Sequence, residues 1–145
     1  MQNNESKDSK IKQIPDIDCS ILKAKVVGFD DEAFIKVRTF LNSKTSERSE
    51  PYFIFFHPGL VKISKEINIE AKRIFKTLNF LSSYWPDIVK MKAIFEEESE
   101  VYILKTDDLD ELASTKKFYH PRNPDIILEN ADKLIRHAFV LGYSK

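Results

Sequence analysis

Residues 51–63 read PYFIFFHPGLVKI and residues 64–85 read SKEINIEAKRIFKTLNFLSSYW. The apolar run at residues 52–56 ends in His57-Pro58-Gly59, a strong turn signal. A strand without polar alternation is buried on both faces, so the pattern predicts a central strand. Residues 60–63 then read as a short returning strand or a loop. Beyond them Ile67, Ala71, Ile74, Phe75, Leu78 and Leu81 recur at helical spacing. Ser64 is placed to cap, and Pro86 disfavours helix at Trp85, so the pattern predicts one core helix over residues 64–85.

Upstream, residues 30–42 carry a second helical stripe of Phe34, Val37, Phe40 and Leu41. Asp30 suits its N-cap, and Asp31 and Glu32 suit the positive end of the helix dipole. In residues 19–28, Leu22, Ala24 and Val26 alternate with Lys23 and Lys25, which predicts a strand with one solvated face. Residues 1–18 are polar, with Ile11, Ile14 and Ile17 spaced three apart and Pro15 between them. They predict a disordered tail.

Downstream, Val89, Met91, Ala93 and Phe95 alternate with Lys90 and Lys92, although Ile88, Met91 and Phe95 would also suit a helix. An acidic run at residues 96–100 followed by VYIL favours a β-hairpin across residues 88–104. Residues 107–114 suit a short helix, and residues 116–123 a loop containing FYHPRN. Asn123-Pro124-Asp125 has the form of a helix start. Ile127, Ala131, Leu134, Ile135, Ala138 and Leu141 would be the stripe of that last helix, and Gly142 its stop.

The order β-α-β-α-β-β-(α)-α predicts an α+β fold: a small mixed or antiparallel sheet of about four strands packed against two long amphipathic helices. Residues 19–145 are expected to form one domain after the tail.

Composition narrows the function. Three Gly argue against a glycine-rich phosphate loop. Lys and Arg total 23, as do Asp and Glu, so the chain lacks the positive excess of a non-specific nucleic-acid binder. Cys19 is the only cysteine, which excludes an intramolecular disulfide and a cysteine-based zinc site. It reads as a small strand residue. No apolar run approaches the ~18 residues of a membrane span, and the first residues lack a signal-peptide core. The expectation is a cytoplasmic protein with no membrane association, no cofactor and no metal.

Several side chains could carry chemistry. His57 ends the apolar strand, where sites often lie. His120 and Arg122 sit in the FYHPRN loop, so a cleft built from His57, His120 and Arg122 is one candidate. His137 suits the negative end of the last helix. No two histidines have metal-ligand spacing. Pro-Asp occurs at Pro15, Pro86 and Pro124, but no acid-x-Lys follows on a strand, so a nuclease signature is absent.

Glu96, Glu97, Glu98, Glu100, Asp107, Asp108, Asp110 and Glu111 face only Lys105 in their segment. EF-hand spacing is missing there. A surface of Asp107, Asp108, Asp110 and Glu111 would instead dock a basic partner. Tyr84 and Trp85 could add an aromatic contact or close the core helix.

The first expectation is therefore a non-catalytic cytosolic interaction module, such as an adaptor, an immunity or antitoxin-like inhibitor, or a secretion chaperone. The alternative is a small hydrolase or metal-dependent enzyme with His57 and His120 in one cleft. A weaker alternative is nucleic-acid binding through Lys62, Lys65, Lys72, Arg73, Lys76, Lys90 and Lys92.

Overall fold

A computed structural model describes residues 10–97, 100–128 and 134–142. In chain order its elements are α1 (Cys19–Lys25), α2 (Asp31–Thr45), β1 (Tyr52–Phe55), α3 (Gly59–Ile67), α4 (Ala71–Tyr84), β2 (Val89–Glu97), β3 (Glu100–Ile103), α5 (Thr106–Thr115), β4 (Phe118–Tyr119), β5 (Ile127–Leu128) and β6 (Ile135–Leu141). The fold is α+β, with a four-stranded antiparallel sheet in the order β1-β6-β2-β3 and a two-stranded sheet of β4 and β5. Among the described residues no helix is long and apolar enough to cross a membrane. The chain divides into two compact units, one being Lys92–Ala138 and the other the remainder.

The larger unit holds most of the core. Leu22, Phe34, Val37, Leu41, Ile74, Leu78, Leu81, Phe139 and Leu141 are fully buried there. Asp30 caps α2 as its sequence implies, its carboxylate accepting the Ala33 N–H at 3.2 Å.

Four expectations about this unit change. Residues 10–18 are packed rather than disordered, with Ile11 and Ile14 buried and the Ile14 N–H donating to Asn42 Oδ1 at 2.9 Å. The other tail residues lie outside the described ones. Residues 19–25 are helical: Asp18 accepts the Ser20 N–H at 3.0 Å, and Lys23 and Lys25 fall in the last turn. Of Leu22, Ala24 and Val26 only Leu22 is buried in the core, so the apparent alternation does not form a buried face.

The single helix over residues 64–85 is two. Asn68 adopts a left-handed conformation (φ 56°, ψ 51°) and ends α3, and Ser64 Oγ donates to the Ile69 carbonyl at 2.6 Å instead of capping. Asparagine tolerates that conformation better than most residues. The predicted stripe still packs inward, because a three-residue break keeps Ile67 and Ile74 on the same core.

The strand at residues 52–55 is also not central. β1 pairs at the edge of the sheet, and only Ile54 in it is buried. Its face is completed by aromatic contacts, with Phe53 and Phe55 stacked at 6.1 Å. The continuously buried run is Ala138, Phe139, Val140 and Leu141 in β6, which lies between β1 and β2.

The last predicted helix is thus replaced by β5 and β6, with residues 129–133 outside the described ones. Asn123-Pro124-Asp125 forms a turn, in which Asn123 Oδ1 accepts the Asp125 N–H at 3.3 Å and the Asn123 carbonyl accepts the Ile126 N–H at 3.0 Å. The residues that start helices also build such turns. Gly142 follows β6 at φ +93°, and a Cβ there would lie 2.8 Å from Ile11 Cγ1. Glycine is required on both counts.

The unit Lys92–Ala138 has a core of Ala93, Phe95, Leu104 and Phe118, with Leu109 and Leu112 packed against it. The predicted hairpin is present: β2 and β3 pair with Phe95 opposite Tyr102 and Glu97 opposite Glu100. The short helix is present as α5, in which no residue is fully buried.

Candidate functional site

The acidic segment separates into two groups with different surroundings. In the hairpin each described glutamate has a cationic or polar partner. Arg136 on β6 donates to Glu96. His120 Nε2 lies 2.6 Å from Glu97 Oε1. Arg122 Nη1 donates to both oxygens of Glu100, at 2.6 and 2.8 Å, and the Tyr102 hydroxyl donates to Glu100 at 2.9 Å. The Tyr102 bond and the Arg122 charge hold the Glu100 carboxyl below its usual range.

His120 is 8 % exposed and belongs to this network. Its Nδ1 accepts the N–H groups of Arg122 and Asn123, at 3.0 and 3.3 Å. An accepting Nδ1 leaves Nε2 as the protonated nitrogen, which donates to Glu97. Phe95 and Tyr102 meet the ring edge to face at 5.8 and 5.9 Å. Both nitrogens therefore organise the turn after β4.

The second acidic group lies on α5. Asp107 and Asp110 are exposed and make no side-chain hydrogen bond or ion pair among the described residues. Asp108 Oδ2 accepts the Lys105 N–H at 3.1 Å, and Glu111 Oε2 accepts from Thr115 Oγ1 at 3.2 Å. The anchoring of α5 through Leu109 and Leu112 directs the acids outward.

A depression of about 190 Å³ runs beside this helix, lined by Asp107, Asp108, Glu111, Lys117, Phe118 and Tyr119. Tyr119 pairs across the small sheet with Ile127, and the two are 38 % and 48 % exposed. Directly opposed residues of an antiparallel pair project to one side. An acidic recess and an apolar pair thus adjoin at Tyr119.

The other predicted residues are elsewhere. His57 is exposed after β1 in the larger unit, and its peptide bond to Pro58 is cis. His57 and His120 belong to different units. Tyr84 and Trp85 close the end of α4: Tyr84 stacks on Phe80 at 5.3 Å, and Trp85 stacks on Phe34 at 6.2 Å. His137 is exposed on β6. Among the described residues no group of three or more His, Cys, Asp or Glu could hold a metal ion.

The sequence points to the α5 acids but not to Tyr119 and Ile127, whose pairing depends on a turn that resembles a helix start. Nor does it indicate which acids are already paired, since Arg122 and Arg136 are remote from them in sequence. Compared with known proteins, the chain matches no family model, no curated protein and no solved structure.

Proposed function

We propose that this chain is a non-catalytic cytosolic interaction module that docks a basic protein partner on α5. The observation that supports this reading is the contrast between the two acidic groups. Glu96, Glu97 and Glu100 are engaged within the fold, whereas Asp107 and Asp110 are exposed and have no side-chain partner among the described residues. Unpaired surface charge of one sign steers and orients a partner of the other sign. The partner would insert a Lys or Arg between Asp107 and Glu111 and rest an apolar side chain on Tyr119 and Ile127. An adaptor, an immunity-type inhibitor or a secretion chaperone would fit this reading.

The test combines a defined probe with partner capture. A peptide of alternating lysine and leucine should shift the amide resonances of α5 and Tyr119, and lose affinity as salt rises. The variant Asp107→Lys/Glu111→Lys should lose both the peptide and any partner retained from the source cells. Equal binding by wild type and variant, or shifts confined to other elements, would refute the proposal.

A further inference from the structure

The larger unit contains a recess of about 520 Å³ where the turn between α1 and α2 faces α4. That volume falls within the ~300–1,000 Å³ of small-molecule sites. Two partly exposed phenylalanines, Phe29 and Phe80, form its apolar walls, backed by the fully buried Phe34. The Phe29 ring lies 5.3 Å from Phe34 and 5.5 Å from Phe80, and Phe34 lies 6.3 Å from Phe80. Their planes are inclined by 53°, 67° and 76°, so the three rings hold one another in a fixed inclined cluster whose Phe29 and Phe80 members reach the recess. Val27 also lines it and is fully exposed, an apolar side chain without cover.

Two cations line the same recess, and they differ. Arg73 is engaged, donating to Asp30 at 2.7 and 2.9 Å and to Glu32 at 2.9 Å. Lys76, one turn on, is exposed and has no acidic partner among the described residues. The Asp30 carboxylate in the lining is neutralised by Arg73, so the free charge is the ammonium of Lys76.

We propose that this recess binds a small aromatic acid. One or two rings would pack against Phe29 and Phe80, and a single carboxylate or sulfonate would meet Lys76. Inclined phenylalanine rings favour an aromatic guest through offset and edge-to-face contacts. An ammonium at the rim, outside the Arg73 ion pair, selects one negative charge. The site is independent of α5 and its acids.

Trp85 provides a built-in reporter, since it touches both Phe34 and Phe80. The experiment titrates the full chain with 1-anilinonaphthalene-8-sulfonate while exciting Trp85. Saturable, single-site binding with energy transfer from Trp85 is expected. Lys76→Glu should weaken it about tenfold, as for loss of one charge-assisted hydrogen bond. Lys65→Glu, on α3 and outside the recess, should leave it unchanged. The neutral analogue N-phenyl-1-naphthylamine should bind wild type and Lys76→Glu alike, and Val27→Asp should weaken both probes. Non-saturable binding, or equal losses in the two lysine variants, would overturn the site. Displacement by dodecanoate at lower concentration than by 1-naphthoate would overturn the aromatic assignment.

Discussion

His120 Nε2 and Glu97 Oε1 lie 2.6 Å apart and tie the turn after β4 to the end of β2. Because Nδ1 accepts two backbone N–H groups, removing the ring leaves three polar groups to find other partners. His120→Ala should therefore cost about 2–4 kcal/mol, from unsatisfied groups plus the space between Phe95 and Tyr102. Glu97→Gln retains an oxygen acceptor and should cost less than ~1 kcal/mol. Urea denaturation of the two variants measures both values, and a near-neutral His120→Ala would remove His120 from the network.

Arg73 and Asp30 form a two-bond pair, and the Arg73 hydrogen bonds are the main cause of a depressed Asp30 carboxyl. A carboxyl lowered on folding stabilises the fold fully above its unfolded value, ~3.9, and loses that contribution as pH falls through the folded value. Both side chains are one-third exposed, so screening limits the pair to about 1 kcal/mol. Arg73→Met should be less stable by about that amount at neutral pH. The gap should narrow as the pH is lowered below ~4, followed by urea melts across the acid range. A gap that persists at the lowest pH would assign the loss to packing of the arginine stem.

Asn42 clamps the N-terminal segment by accepting the Ile14 N–H at 2.9 Å and donating to the Ile14 carbonyl at 3.0 Å. Asn42→Ala should cost about 1–2 kcal/mol and Ile14→Ala about 2–4 kcal/mol, the latter for a buried aliphatic side chain. Thermal unfolding checks both. If residues 10–18 were dispensable, deleting them would leave the melting temperature unchanged.

The α5 acids should separate by role. Asp108→Ala should lower stability by about 1 kcal/mol, because its carboxylate accepts the Lys105 N–H at the helix start. Asp107→Ala and Asp110→Ala should stay within ~0.5 kcal/mol of wild type and reduce only binding of the lysine-leucine peptide. Far-UV circular dichroism during thermal melting, beside peptide titration, distinguishes the two effects.

Local chemistry was legible where one physical signal acted alone. Asp30 with Phe34, Val37 and Leu41 specified α2, and the alternation ending at Phe95 specified β2. It failed where one residue type serves two conformations. Asn123-Pro124 could open a helix or a turn, and Asn68 gave no sign of the left-handed geometry that divides α3 from α4. Strand position is not encoded locally, because aromatic residues occur both at a buried centre and on an edge such as β1. The α5 acids were visible as charge. Their distinction from Glu96 and Glu100 required partners, Arg136 and Arg122, that only the tertiary fold brings near.

β6 is the last strand among the described residues, yet it lies between β1 and β2. During translation β1 is therefore finished long before the strand that hydrogen-bonds it. At ~5–20 residues per second, Tyr52, Phe53, Ile54 and Phe55 wait for several seconds as an unpaired apolar segment. Uncharged aromatic stretches of this kind self-associate readily. The strand order thus leaves residues 52–55 of a nascent chain open to self-association until β6 has emerged.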